Sequence, residues 1–156
     1  MNEIYCKLLK KEMLSLTDSD TMALDVALKE LEFDKARLYD FLEYPHNLAF
    51  IAECNDDICG FAYGYSLISL DSEPQLFIYS VDVLERFQNM GIGSKLFQYI
   101  ADYSENNGFS ECFVITSKDN KRACRIYEKA GGASDYENEI VYVIKHKNSE
   151  NKRMEV

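Results

Sequence analysis

Apolar side chains recur along this chain in two rhythms, and the switches between them predict its elements. Residues 4–9 read as a first strand. Met22, Leu24, Ala27, Leu28 and Leu31 then fall near helical spacing, predicting an amphipathic helix to about Phe33. Thr17, Asp18, Ser19 and Asp20 supply N-cap candidates for it. A second, shorter helix through Leu38, Phe41 and Leu42 stops before Pro45, because the residue preceding a proline avoids the helical region. Residues 48–53 and 58–70 read as two strands joined by the turn signal Asn55-Asp56-Asp57.

After the break at Asp71-Ser72-Glu73-Pro74, residues 75–83 form another strand, rich in aromatic and β-branched side chains. Leu96, Phe97, Ile100 and Tyr103 mark a helix over 92–106, closed by Asn107-Gly108. Residues 112–116 make a short strand, and Asp119-Asn120 can cap a helix over 121–130 that Gly131-Gly132 ends. Residues 140–145 read as a last strand. The order is mixed α+β: a meander of strands in the middle, then strands alternating with helices. No linker divides it, so residues 1–146 are expected to form one domain, with 147–156 a polar, flexible tail.

Length and composition fit this picture: 156 residues, 47% of them hydrophobic, are enough for one core. The net charge of −10 is lopsided. Residues 1–83 carry sixteen acidic and six basic side chains, whereas residues 84–156 carry eleven of each. An acidic first half argues against nucleic acid or an anionic membrane as partner. It suits a small cationic substrate, or simply solvated helix faces. No apolar run approaches the ~18 residues of a membrane span, and the first nine residues lack a signal-peptide core, so a cytoplasmic protein is expected. Five cysteines without a CxxC pair, and only His46 and His146, predict idle thiols and no metal site.

The segment with the most chemistry runs from Val81 to Gly93. A strand ends at Val83, a loop follows, and Gly91 and Gly93 open a helix. Glycines let backbone N–H groups approach a ligand, and a helix N-terminus adds unpaired donors and partial positive charge. Together these make an anion site that suits a pyrophosphate. A Walker A loop is out of register, because Ser94-Lys95 reverses the required Lys-Ser order. A dinucleotide fingerprint lacks its third glycine. The remaining pattern, Q/R-x-x-G-x-G/A, is met by Gln88-Asn89-Met90-Gly91-Ile92-Gly93.

A second segment completes it. Asn120-x-x-Ala123-x-x-x-Tyr127-x-Lys129-x-Gly131 follows on the next predicted helix. With both segments in this order the chain resembles the GCN5-related N-acetyltransferase (GNAT) superfamily over roughly residues 48–145. The resemblance implies a GNAT fold, with a central mixed, mostly antiparallel sheet flanked by helices. It implies acetyl-CoA as cosubstrate, no metal, and the homodimer common in that superfamily. It places the pantetheine arm along the backbone of Val81 and Val83, with the Val81 N–H as oxyanion donor, and the pyrophosphate in Gln88, Asn89, Met90, Gly91, Ile92, Gly93 and Ser94. Asn120 joins the cofactor-binding set, and Tyr127 becomes the general acid for the departing thiolate.

Phe50-Ile51-Ala52, the stretch from Ile58 to Tyr65, and Phe77-Ile78-Tyr79 are further similar to the type I aminoglycoside 3-N-acetyltransferases. That group keeps a tyrosine and then an aspartate before the cofactor strand ends. Here Tyr79 is followed by Ser80, with Asp82 two residues on. Tyr79, Ser80, Asp82, Asp71 and Glu73 are therefore the candidates for the base, with Tyr79 and Asp82 foremost. Strand alternation puts Ser80 and Asp82 on one face and Tyr79 with Val81 on the other. The resemblance also assigns the acidic run Asp18, Asp20, Asp25, Glu30, Glu32, Asp34, Asp40 and Glu43 to the elements that shape the acceptor pocket. Three readings follow: acetylation of an aminoglycoside amine, acetylation of another amine, polyamine or protein N-terminus, and an acyl-CoA-binding regulatory domain without turnover.

Overall fold

The computed structural model describes residues 3–15 and 19–146. The N-cap candidates Thr17 and Asp18 and the expected 147–156 tail lie outside the described residues. Five strands, β1 (Ile4–Leu9), β2 (Asn47–Cys54), β3 (Asp57–Leu67), β4 (Gln75–Val83) and β5 (Glu111–Val114), form one sheet in chain order. Neighbours are antiparallel from β1 to β4, and β5 runs parallel to β4. Helices α1 (Ser19–Glu30) and α2 (Lys35–Leu42) lie between β1 and β2, α3 (Ile92–Asn106) between β4 and β5, and α4 (Lys121–Lys129) follows β5.

The two sheet faces carry separate cores, as the period-2 alternation of each strand requires. Ala49, Ile51, Ile58 and Phe61 pack with Leu24, Ala27, Leu28 and Leu38 of α1 and α2. Phe50, Ala52, Ala62, Leu76 and Ile78 pack on the other face with Leu96, Phe97 and Ile100 of α3. Because β2 is covered on both sides, it reads as a nearly unbroken apolar run. Helix α2 starts where Asp34 accepts from the N–H groups of Ala36 and Arg37, at 2.8 and 3.2 Å.

The end of the sheet where β4 leads into α3 is set by a bulge. Tyr63 pairs with Ser80, but Gly64 pairs with Ile78, so Tyr79 has no residue opposite it. Only glycine fits at 64: a Cβ there would stand 2.1 Å from the Phe77 carbonyl oxygen. The bulge overturns the expected alternation. The Tyr79 ring lies 5.4 Å from that of Tyr63, on the α1 face with Ser80 and Asp82, while Val81 packs toward α3 and α4. Just beyond, β4 loses its other neighbour. The β4–β5 ladder covers only Gln75 to Ile78, whereas β4 itself continues to Val83.

The expected last strand is not formed. Residues 140–145 lie outside the sheet, with the side chains from Ile140 to Ile144 70–85% exposed. A strand needs a neighbour's edge to satisfy its backbone, and no residue between Gly131 and Ile140 is buried enough to fix the approach to β5. Local propensity alone cannot supply that ladder.

Gly64→Ala is expected to cost about 2 kcal/mol or more, since the clash is with backbone. Thermal denaturation should then show Tm lowered by roughly 4–8 °C. An unchanged Tm would mean that the bulge does not depend on this glycine.

Candidate active site

The turn between β4 and α3 is built by side chains as well as by glycines. After the buried Leu84, a 3-10 turn over Glu85–Phe87 leads to Asn89 and Gly91, both left-handed at φ 64° and 78°. Gly91 is the N-cap of α3 and brings no side-chain cap, so the N–H groups of Ile92, Gly93 and Ser94 keep no intrahelical partner. The Gln88 amide donates to the Val83 carbonyl at 3.2 Å and accepts from Arg122 at 2.7 Å. Arg122 also donates to the Asn89 side-chain oxygen at 3.2 Å. Helix α4 is thus latched to the turn.

Between the turn and α4 lies a cavity of about 200 Å³. Val83, Gln88, Asn89, Gly91, Ile92, Gly93 and Ser94 line one wall, and Arg122, Arg125 and Lys129 bring three cations to the other. Unpaired amides facing cations is the chemistry of a phosphate or diphosphate site. The two arginines were missed in the sequence reading, and Lys129 was seen only as part of the motif. Their signal was there, since positions 122, 125 and 129 share one helix face with Ile126. Met90 belongs to the turn but is 51% exposed and is not in the wall. Asn120 does not line the cavity either: it is the N-cap of α4, accepting from the Ala123 N–H at 3.1 Å.

The gap between β4 and β5 opens next to this cavity. Beyond Ile78, the edge of β4 that carries Val81 and Val83 has no strand partner on the β5 side among the described residues. Tyr127 of α4 is half-buried against Phe97, ring centroids 4.6 Å apart. Burial first, then the negative charges of Asp82 and the Cys124 side chain, push its phenol above its ordinary pKa. Ser80 donates a hydrogen bond to Asp82. Tyr63 feels Asp82 as well, after burial, Tyr79 and Tyr65 have already raised its phenol. Asp82 therefore stands within electrostatic reach of tyrosines on both sheet faces. Asp71 and Glu73 are not brought there. They precede Gln75, so the whole of β4, about 26 Å of extended chain, separates them from Val83.

On the α1 face a second cavity, of about 580 Å³, runs between the sheet and the α1–α2 connection. Phe33, Phe41, Phe61, Tyr63 and Tyr65 give it an aromatic wall, and Glu32, Asp34 and Arg37 stand among its lining residues. Tyr63 belongs to this wall and also pairs with Ser80, which links the cavity to the β4 end. Such a volume accommodates a small organic ligand. The acidic run contributes less free charge than its length suggests. Asp25 pairs with Lys35 at 2.6 Å, Glu30 with Arg86, and Glu43 with Lys11.

The thiols play no part in either cavity. Cys59 is buried and donates to the Ala52 carbonyl, and burial pushes its pKa up to about 12. Among the described residues no three His, Cys, Asp or Glu side chains gather as a metal site, and no helix is long and apolar enough to cross a membrane.

Residues 13–132 match the model of the acetyltransferase (GNAT) family. No curated protein matches the chain. Among solved structures, an aminoglycoside acetyltransferase from an uncultured soil metagenomic sample, in complex with sisomicin, superposes with a TM-score of 0.70 at 22% identity. The match covers 91% of this chain and 97% of that one. A ribosomal-protein-alanine N-acetyltransferase from Brucella melitensis biovar Abortus 2308 gives 0.68 at 19% identity, covering 92% and 100%. The aminoglycoside N-acetyltransferase AAC(6')-Iy, in complex with a CoA bisubstrate analogue, gives 0.68 at 22%, covering 92% and 99%. At such identities the likeness carries the fold: a five-stranded mixed sheet with helices on both faces.

Tyr127 should titrate above pH 10. Its pKa in the fold is raised over that of the unfolded phenol. Its contribution to stability is therefore fully present below pH ~10 and lost as pH rises through the folded value. The difference in ultraviolet absorbance between wild type and Tyr127→Phe, followed with pH, reads this directly. A midpoint below 10 would contradict the burial argument.

Proposed function

Because the chain belongs to the acetyltransferase (GNAT) family, we infer that it moves the acetyl group of acetyl-CoA to an amino group of an aminoglycoside. The observation that carries the cosubstrate is the 200 Å³ cavity, where unpaired α3 amides face Arg122, Arg125 and Lys129 at the mouth of the β4–β5 gap. It suits a pyrophosphate whose attached arm runs into the sheet. Bound there, acetyl-CoA supplies the activated thioester. Gln88, held from both sides, fixes the turn, and α3 presents the amides of Ile92, Gly93 and Ser94. The backbone edge of Val81 and Val83 takes the arm. The Val81 N–H points donor chemistry at the oxygen that becomes negative during attack.

Proton traffic falls to two groups. Asp82, steadied by Ser80, is the base that takes a proton from the amine, directly or through one water. Tyr79, 58% exposed and tilted against Tyr63, sits beside it at the edge of the acceptor cavity. Tyr127 donates to the leaving thiolate. Its raised pKa keeps it protonated throughout the physiological range, as an acid must be. Asn120 sets the start of the helix that carries Tyr127 and so acts by position.

The aminoglycoside acceptor is supported by the sequence likeness at residues 50–52, 58–65 and 77–79, and the same likeness supports the 3-amine as the position. A further support is the size of the 580 Å³ cavity opening beside Tyr63. The acid at the position after Tyr79 is supplied here by Asp82 through Ser80.

An acceptor panel of gentamicin, sisomicin, kanamycin and neamine, assayed for free thiol with acetyl-CoA, tests this. Turnover of at least one is expected, with NMR of the product locating the new amide at the 3-amine. Tyr127→Phe should slow turnover about a hundredfold while CoA binding persists, and Asp82→Asn should likewise lower the rate at neutral pH. Thiol release that never exceeds background across the panel would refute the aminoglycoside acceptor. An amide at another nitrogen would refute the position.

A further inference from the structure

Helix α1 ends in a way that costs the fold stability. Phe33 N–H bonds to the Leu28 carbonyl at 2.8 Å and Glu32 N–H to that of Lys29 at 3.2 Å. These two bonds define a Schellman ending, whose hydrophobic contact here is Leu28 with Phe33, both in the same core. The motif requires a left-handed residue at position 32, where glycine is the usual occupant. This chain places Glu32 there, at φ 58°. A side chain kept in an unfavourable backbone state is a pointer to a use for that side chain.

Its surroundings say which use. Glu32 lines the 580 Å³ cavity beside Phe33, Phe41, Tyr63 and Tyr65. Asp34, the other acid of that wall, is already committed: it caps α2 and lies 3.9 Å from Arg37. Asp25, Glu30 and Glu43 are paired with basic side chains. Among the described residues Glu32 makes no ion pair, and it is exposed at the cavity rim. A carboxylate over an aromatic wall is the arrangement that takes an ammonium group on a ring-shaped body.

We propose that Glu32 is a specificity residue that binds a second ammonium of the acceptor, so that the site selects compact ring-bodied diamines and larger polyamines over monoamines. The ring lies on Tyr63 and Phe41, one amine is presented to Asp82, and the other is held by Glu32. This rests on the acetyl-acceptor reading of the same cavity. The backbone predicts a further, opposite effect: removing the side chain at 32 relaxes the helix ending.

The test uses the CoA-loaded full chain, with binding measured apart from turnover. Two probes share one ring: cyclohexylmethylamine and 1,4-bis(aminomethyl)cyclohexane. Wild type should bind the diamine roughly threefold to tenfold more tightly at low salt, as fits a rim ion pair. The preference should shrink as salt rises. Glu32→Gln should abolish it and leave Tm and CoA affinity unchanged. Glu32→Gly should abolish it while raising Tm. No diamine preference in wild type, or a preference that survives Glu32→Gln, overturns the proposal. A Tm lowered by Glu32→Gly would make residue 32 structural and overturns it equally. Acetylation is scored separately, on the aminoglycoside panel: diamine binding by this rule with no turnover of any panel member leaves Glu32 in place and refutes the acceptor reading.

Discussion

The architecture of the site depends on where β4 stops having neighbours. The residue inserted at Tyr79 breaks its register with β3, and its ladder with β5 ends one residue earlier, at Ile78. From that point its only strand partner among the described residues is β3, and on the open side the Gln88 amide reaches the Val83 carbonyl. A backbone with free donors inside a folded sheet must find a partner, because unpaired amides are costly away from water. Here the free edge faces the mouth of a cation-lined cavity. Gly64 makes this possible by letting the Phe77 carbonyl approach to a distance that no side chain would tolerate. The bulge also turns Tyr79 to the α1 face, so one local irregularity shapes the open edge of β4 and the approach to the aromatic cavity together.

The second constraint is the contact between α4 and the glycine turn. Arg122 joins Gln88 and Asn89, and five residues later the same helix presents Tyr127 against Phe97. The residues proposed to hold the phosphates and to donate the proton therefore meet on one helix. Whatever seats the turn also seats Tyr127, which is a form of preorganisation. Charge is distributed accordingly. The cations gather on α4, while most acids of the first half pair with local lysines and arginines.

Much of this was legible in the sequence where local signals agree with the fold. The helical spacing of Leu96, Phe97 and Ile100 marks the face of α3 that is buried. The doubly apolar run of β2 identifies a strand covered on both faces. The turn from Gln88 to Ser94 could be located because its glycines have a backbone reason to be there. Other features had no local signature. The face of Tyr79 depends on a register shift with another strand, which strict alternation cannot foresee. Asp71 and Glu73 are near Asp82 in sequence but a whole strand away in space. Residues 140–145 have strand propensity without a ladder to join. Glu32 looked like one acid among eight until the left-handed turn singled it out.

The free edge of β4 and the turn after it are proposed to bind one molecule of acetyl-CoA. Amide hydrogen exchange with and without CoA tests it most directly. Binding should slow exchange at residues 79–83 and 88–94 together, because the arm occupies the strand edge and the pyrophosphate occupies the α3 amides. Protection confined to other parts of the chain, or an exchange pattern unaltered by saturating CoA, would contradict the account.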